Sequence, residues 1–460
     1  MLLPAVAAWG AQLESAAPSR PAARRMTLAE ARPVIAALGD RAPVELRRLS
    51  PDAERSWSDW VTQQDAGIRA RIARGDEDSV VNLMLYGTTF TRRPRATPEA
   101  IAGLRTDTPV ADVMEGRLQD LVKAVEAPAG DERVAFVRDV IERQGLTVGP
   151  RSRESTRAYL LALRSRVLAD NEQYARRAAA ASVASESDRR AAHATLYRDR
   201  GLSTDSSLRV DFALDRALAA IQERRALSGR VERVAVVGPG LDFIDKAQGH
   251  DLYPVQMVQP FALGDSLLRI GLADRPAITA LDISARVLDH LRDARERARQ
   301  GKAYRWTLVL ERNGPALAVD PEFAAYWRRA GDRLGIPVPL EIQDVQARAI
   351  DIRPDAVLGI EGVDLNIVFD RISAPDASRF DLVVATNVLV YYEPFEQALA
   401  VSNMAGMLRP GGLLLTNQPV PLPTTWGLSP VFIMSVAFDR VQSGTGSHQR
   451  GDTIHVYRKG

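Results

Sequence analysis

From about Val231 onward, short runs of small and β-branched residues alternate with amphipathic helices. That alternation points to a parallel sheet with helices on both faces. Val234 to Val237 reads as the first strand and ends at Gly238-Pro239-Gly240. "AITALDIS" is the second, ending near Asp282, and "ARVLDHLRDARERARQG" is the helix behind it. "LNIVFDRI" (Leu365 to Ile372) reads as a later strand, and "FDLVVATNVLVYY" (Phe380 to Tyr392) contains the fully apolar core strand Leu382 to Ala385. Pro394 to Leu408 is a helix with Ala398, Val401, Ala405 and Leu408 on one face. "RPGG" then turns the chain into "LLLTN", and "VFIMSVAFDRV" with "DTIHVYRK" reads as a terminal hairpin. Tyr304 to Val363 breaks the rhythm with a strand "WTLVLE", a helix "PEFAAYWRRAGDRLG" and a strand "ARAID", and is read as an insertion, 304–363.

The first half differs. Residues 26–228 carry helical signals almost without interruption, so an all-helical N-terminal domain is expected before a second domain at 229–460. Ser50-Pro51-Asp52 reads as a cap with proline at the first helical position, opening a helix to about Arg74; Thr97-Pro98-Glu99 and Thr108-Pro109 repeat the device. Val134, Val137 and Ile141 recur at helical spacing before Gly145, and Leu160, Leu163 and Val167 form one stripe of a helix from about Glu154 to Ala180. A further helix is expected from about Ser206 to Leu227. Residues 1–25 read as a flexible lead or the remnant of an export signal, with "MLLPAVAAWGAQ" lacking a basic leading segment. A cytoplasmic location is expected, with export as the alternative.

Composition narrows the chemistry. The 460 residues hold 60 Lys and Arg against 58 Asp and Glu, a formal charge of +2, so no global field points to nucleic acid or an acidic membrane. There is no cysteine, which excludes disulfides, thiolate metal sites and thiol nucleophiles. The five histidines lack metal spacing, so no metal is expected. No later stretch approaches the roughly 18 uninterrupted apolar residues of a membrane span.

In open parallel sheets ligands sit at the carboxyl ends of the strands, where strand order reverses. That singles out Gly238 to Phe243, Asp282-Ile283-Ser284, Asp370 and Asn387-Val388. Gly238-Pro239-Gly240 is either a cradle for a nucleotide or an ordinary strand-ending turn. A carboxylate past the second strand suits a ribose diol, since it accepts from both hydroxyls. Equally, Asp282 could cap the next helix and Asp370 occupy a turn. A dinucleotide oxidoreductase needs Gly-x-Gly-x-x-Gly, and position 243 is Phe.

Taken together, "VVGPGLDF", "LDIS", "FDLVVATNVLVYY" and "LRPGGLLLTN" make residues 231 to 460 resemble the class I S-adenosylmethionine-dependent methyltransferases. The resemblance implies a Rossmann-like sheet of seven mostly parallel strands with a C-terminal antiparallel hairpin, and S-adenosylmethionine as cofactor. It further implies that Gly238, Gly240 and Asp242 lie against the cofactor, Asp282 and Ile283 at its ribose, Asp370 at its adenine, and Asn387 with Val388 at its reactive end. "NVLVYY" is also similar to a stretch of the chemotaxis-receptor glutamate methyltransferases, and "YGTTFTRRP" (Tyr86 to Pro94) to a cofactor-touching segment of theirs, though it lies about 145 residues before the glycine motif. Two departures stand out. The usual acidic first position of the glycine motif is Val236 and its last glycine is Asp242; and Asp282 follows Gly238 by 44 residues. The long loop between them contains "DLYPVQMVQPF", a lid over the cofactor or aromatic packing.

Methyl transfer from a sulfonium chiefly requires alignment of the acceptor and exclusion of water. Tyr391 and Tyr392 are the candidate catalytic-site residues, lining the acceptor pocket, with Tyr392, Glu393 or Asp242 to orient or deprotonate the acceptor. The expected partner is a small molecule or a protein side chain, and not nucleic acid. The altered glycine motif also fits an inactive cofactor-binding scaffold or sensor. The sequence leaves the oligomeric state open.

Overall fold

The computed structural model describes residues 22–47, 53–96, 108–182, 200–204, 206, 208–244, 251–310, 317–342, 345–375, 378–443 and 446–460. The proposed caps at Ser50-Pro51-Asp52 and Thr97-Pro98-Glu99, and nearly all of the N-terminal lead, lie outside these residues. Thr108-Pro109 opens the helix Thr108–Ala124.

Eight strands form the main sheet, in the order Leu317–Val319, Leu428–Ser443, Gly446–Lys459, Leu408–Thr416, Phe380–Ala385, Arg233–Val237, Ala277–Asp282 and Ile360–Asp364. The last five pair in parallel, while the C-terminal hairpin joins antiparallel. The eighth strand, beyond the seven expected, is the three-residue Leu317–Val319, which pairs antiparallel with the hairpin. Strand order runs outward from 233–237 through 277–282 to 360–364, then restarts on the other side at 380–385, so it reverses at 233–237.

One strand is misplaced by the sequence reading. The third parallel strand is 360–364 and not Leu365 to Ile372. The apolar residues Leu365, Ile367, Val368 and Phe369 are buried in a turn instead. Asn366 Oδ1 accepts from the Val368 N–H, and the Asn366 carbonyl accepts from the N–H groups of Phe369 and Asp370. Asp370–Ile372 then pairs antiparallel with Ala23–Arg25, outside the main sheet. The span 304–363 therefore contains the main-sheet strand 317–319 and all but the last residue of 360–364, as well as a separate three-stranded antiparallel sheet of 304–310, 346–352 and 335–338.

The pleat sends alternate residues to opposite faces. Val234 and Val236 join a core with the helices Leu208–Glu223, Gln259–Ile270 and Ala285–Arg299. Ala235 and Val237 join another with Leu28–Leu38, Pro394–Met407 and the first half of Ala53–Tyr86. A third core lies off the sheet, among the second half of 53–86 and the helices 108–124, Glu132–Arg143 and Arg153–Ser182.

The helix 53–86 has 34 residues and is about 50 Å long. Trp57, Val61 and Ile68 anchor one end on the sheet; Val80, Leu83 and Met84 anchor the other among the helices. At about 1.5 to 3 kcal/mol per buried side chain, each end is held firmly although the middle is polar. The sequence reading stops this helix near Arg74, but the structure carries it on to Tyr86. Gly75, inside the helix, has a packing purpose: a Cβ there would lie 1.9 Å from the Leu202 carbonyl oxygen, so glycine admits the strap 200–204 against the helix. Gly75→Ala is expected to force the strap outward and cost about 1 to 3 kcal/mol, read as a lowered urea midpoint. An unchanged midpoint would show that the close approach is not needed.

Candidate functional site

The parallel registers place Val237 beside Leu281 on one side and beside Ala385 on the other. The three strands end level, so Gly238, Asp282 and Thr386-Asn387 meet at one edge. Gly238 and Gly240 have φ of 62° and 63°, backbone that favours glycine, and a Cβ on Gly238 would lie 2.9 Å from Val388 Cγ2. The turn thus has a structural reason for its glycines, and it also walls a cleft. Gly238, Gly240, Asp282, Ile283, Asn387, Val388, Tyr391 and Tyr392 line one small cavity of about 100 Å³.

Asp282 is buried and accepts from the Ser284 N–H at 2.8 Å. Burial pushes its carboxyl up to about 6, opposed by the backbone N–H groups of Ser284, Gly240 and Ile283. Asn387 is in the left-handed region, φ 58°, and its N–H donates to Asn417 Oδ1. Burial pushes the Tyr392 phenol up, with the nearby Glu396 carboxylate adding to it, so this tyrosine is a phenol and not a phenolate base near neutral pH. Glu393 serves as the capping residue of the helix 394–407.

A second cavity, of about 620 Å³, adjoins the first, and Ser203, Ser206, Asn387 and Tyr391 line both. Asp242 faces this larger chamber, where it accepts from the Tyr253 hydroxyl at 3.1 Å and from Gln256 Nε2 at 3.0 Å. The other walls come from outside the main sheet: Ser79 and Asn82 of the long helix, Asn171 of the helix 153–182, Thr307 and Phe323 of the insertion. Its charged groups are met within the protein. Arg166 donates to Asp78 at 2.8 Å, Arg209 to Asp439 at 3.1 Å and Arg200 to Asn171 at 2.6 Å. The rest of the lining mixes hydroxyl, amide and aromatic groups with aliphatic ones such as Val167, Ile244 and Val390.

Asp370 is not brought to the cleft. It accepts from Arg25 Nε at 2.9 Å beside the strand pair 23–25 and 370–372, because the strand whose end it was expected to mark lies six residues earlier. "YGTTFTRRP" contributes Tyr86 to the chamber. Its threonines serve a different purpose: the backbone N–H and hydroxyl groups of both Thr88 and Thr89 donate to the buried Asp251. "DLYPVQMVQPF" packs beside the glycine turn, Gln256 bridging to Asp242 and Arg133 donating to the carbonyls of Phe243 and Tyr253.

Several residues escaped the sequence reading. The strap 200–204 and Ser206 lie beside the glycine turn, the Leu241 N–H donating to the Thr204 carbonyl and the Ser206 N–H to the Leu241 carbonyl. Arg71 of the long helix donates to the carbonyls of Arg200 and Tyr391. Gln259 Nε2 donates to Thr386 Oγ1 at 2.8 Å and Asp211 Oδ1 at 3.3 Å, both buried. Asp211 was open to detection, as an acid inside the apolar helix "LRVDFALDRALAAIQE". Among the described residues no group of His, Asp and Glu is placed to hold a metal, and no helix is long and apolar enough to cross a membrane.

No family model matches the chain, and no curated protein matches it. Solved structures similar to it include the N-methyltransferase NodS from Bradyrhizobium japonicum WM9, at 14% identity over 54% of this chain and 97% of that one, TM-score 0.25. Magnesium protoporphyrin IX methyltransferase ChlM from Synechocystis PCC 6803 with bound SAM is similar at 12% identity over 55% and 81%, TM-score 0.26. The glycopeptide N-methyltransferase MtfA is similar at 13% identity over 54% and 95%, TM-score 0.25. Likeness at this level fixes neither activity nor substrate, which have to come from the chain's own residues.

Burial pushes the Asp211 carboxyl up to about 7, with the Gln259 amide opposing it. A carboxyl raised on folding ionises more easily in the unfolded chain, so its contribution to stability falls as pH rises from about 4 through about 7. Asp211→Asn is therefore expected to melt above the unmodified protein at pH 8, the gap closing toward pH 4. A difference that does not vary with pH would contradict this.

Proposed function

We propose that this protein is an S-adenosylmethionine-dependent methyltransferase acting on a small polar molecule, with the main sheet and the helices packed on it as its catalytic part and the second half of the helix 53–86, the helix 153–182, the strap 200–204 and residues 307–309 and 323 of the insertion as its acceptor-binding parts. The observation that carries this reading is the level ending of three parallel strands at the point where strand order reverses. It brings a glycine turn, a buried carboxylate and an exposed carboxamide into one wall. The residues fit the cofactor in kind. Gly238 and Gly240 allow close approach to bare backbone, Asp282 can accept from ribose hydroxyls, and Asn387 stands where the small cavity opens into the chamber. When bound, the cofactor supplies a methyl group already activated by its sulfonium charge.

The rest of the chemistry falls to the chain. The chamber holds and orients the acceptor, and its walls exclude water. About 620 Å³ lies within the usual range of about 300 to 1,000 Å³ for small-molecule sites, which favours a small acceptor over a protein side chain. Asp242 is the carboxylate of the chamber best placed to take up the acceptor's proton, and Tyr391 the aromatic wall between the cavities. The smaller cavity, about 100 Å³, is below that range, so a nucleoside would enter only with a shift of the strap 200–204, whose Thr204 carbonyl accepts from the Leu241 N–H.

Isothermal titration with S-adenosylmethionine and S-adenosylhomocysteine, with NAD as a control, is expected to show micromolar binding of the first two and none of the third. Asp282→Ala should weaken both by about 1 to 3 kcal/mol, the cost of losing a charged hydrogen-bond partner. Unchanged affinity would remove Asp282 from the site; no binding by the unmodified protein would overturn the reading.

A further inference from the structure

Asn387 is gripped from behind by a pair of polar residues on the next two strands. Its backbone N–H donates to Asn417 Oδ1 at 2.8 Å, and Asn417 Nδ2 donates back to Asn387 Oδ1 at 2.7 Å. The same Nδ2 lies 3.3 Å from Asp452 Oδ2, and Asp452 Oδ1 accepts from the Thr453 N–H at 2.9 Å. Asn417 ends the strand 408–416, and Asp452 reaches the same edge from the antiparallel strand 446–459.

Chemistry fixes every orientation in this chain. A backbone N–H can only donate, so the atom of Asn417 that faces it is the oxygen. Asn417 Nδ2 then faces Asn387 Oδ1, and its second hydrogen points to Asp452, an acceptor on both oxygens when ionised. The oxygen of Asn387 is thereby turned back toward Asn417. Its Nδ2 has no protein partner among the described residues, and Asn387 lines both cavities where they join. The grip also holds a non-glycine residue in the left-handed region, a conformation that asparagine tolerates better than most side chains.

We propose that Asn417 and Asp452 are positioning residues that hold Asn387 with its amide nitrogen presented to the cofactor cleft, so that the group it meets there is a hydrogen-bond acceptor of the bound cofactor. The proposal rests on the methyltransferase reading and goes beyond it, since neither positioning residue lines either cavity. It makes the antiparallel hairpin part of the site's machinery as well as the closure of the sheet.

The test is a set of affinities for S-adenosylhomocysteine and for 5′-methylthioadenosine, which lacks the amino-acid end, measured on Asn387→Ala, Asn417→Ala, Asp452→Ala and the double variants, with a thermal melt on each. Asn387→Ala and Asn417→Ala are each expected to weaken S-adenosylhomocysteine at least fivefold, and Asp452→Ala about two- to threefold. Because Asn417 acts through Asn387, Asn417→Ala should have no further effect in the Asn387→Ala background, a non-additivity that a general loss of stability would not produce. Weakening of S-adenosylhomocysteine alone places the contact at the amino-acid end; weakening of both ligands places it at the nucleoside. If Asn417→Ala melts early, the near-isosteric Asn417→Asp, which keeps the acceptor and loses both donations, takes its place with the same expectation. Additive effects, or an Asn417 variant with unchanged affinity, would overturn the proposal while leaving the methyltransferase reading intact. No binding by the unmodified protein would sink both.

Discussion

The candidate site depends on the strand Arg233–Val237 being paired in parallel along both edges. Five residues of ladder on one side and four on the other fix the register, and a slip would carry Gly238 away from Asp282 or from Asn387. The slip is opposed by burial, since Val234 and Val236 pack in one core and Ala235 and Val237 in the other. The cleft at the carboxyl edge is a geometric consequence of that pairing together with the reversal of strand order.

A second constraint comes from outside the sheet. The helix 53–86 is pinned at one end on the sheet and at the other among the helices, so its polar middle is held over the carboxyl edge. There Arg71 ties the strap and the Tyr391 loop, and Gly75 makes room for Leu202. The chamber therefore has one wall from the sheet's loops and others from the helices and the insertion. The strap is thus tied to that helix through the Leu202 N–H, which donates to the Arg71 carbonyl, and through Arg71, which donates to the Arg200 carbonyl.

Much of this frame was legible in the sequence where local pattern and global fold agree. The apolar runs 234–237 and 382–385, the glycine turn and the helix behind Asp282 stand within a residue or two of where they were read. The reading failed where an apolar run served a purpose other than a ladder. Leu365 to Phe369 has strand composition, yet Asn366 draws its backbone into a turn and the apolar side chains fill the core under Trp60 and Phe395. That moved the expected strand end from Asp364 to Asp370. The purpose of Gly75 was equally invisible, since it lies in a contact with Leu202 far along the chain. Asn417, Gln259 and the polar walls of the chamber left no local signal, because their positions are set by strand neighbours and helix crossings.

The most direct test of the central claim is a crystal structure of the protein grown with S-adenosylhomocysteine. The ligand is expected with its ribose hydroxyls within hydrogen-bond distance of Asp282, its backbone-facing side on Gly238 and Gly240, and its sulfur toward the chamber. Density for the ligand elsewhere would contradict the account. One such place is the cavity of about 300 Å³ beside Phe261 and Leu334, near the amino ends of strands 277–282 and 360–364.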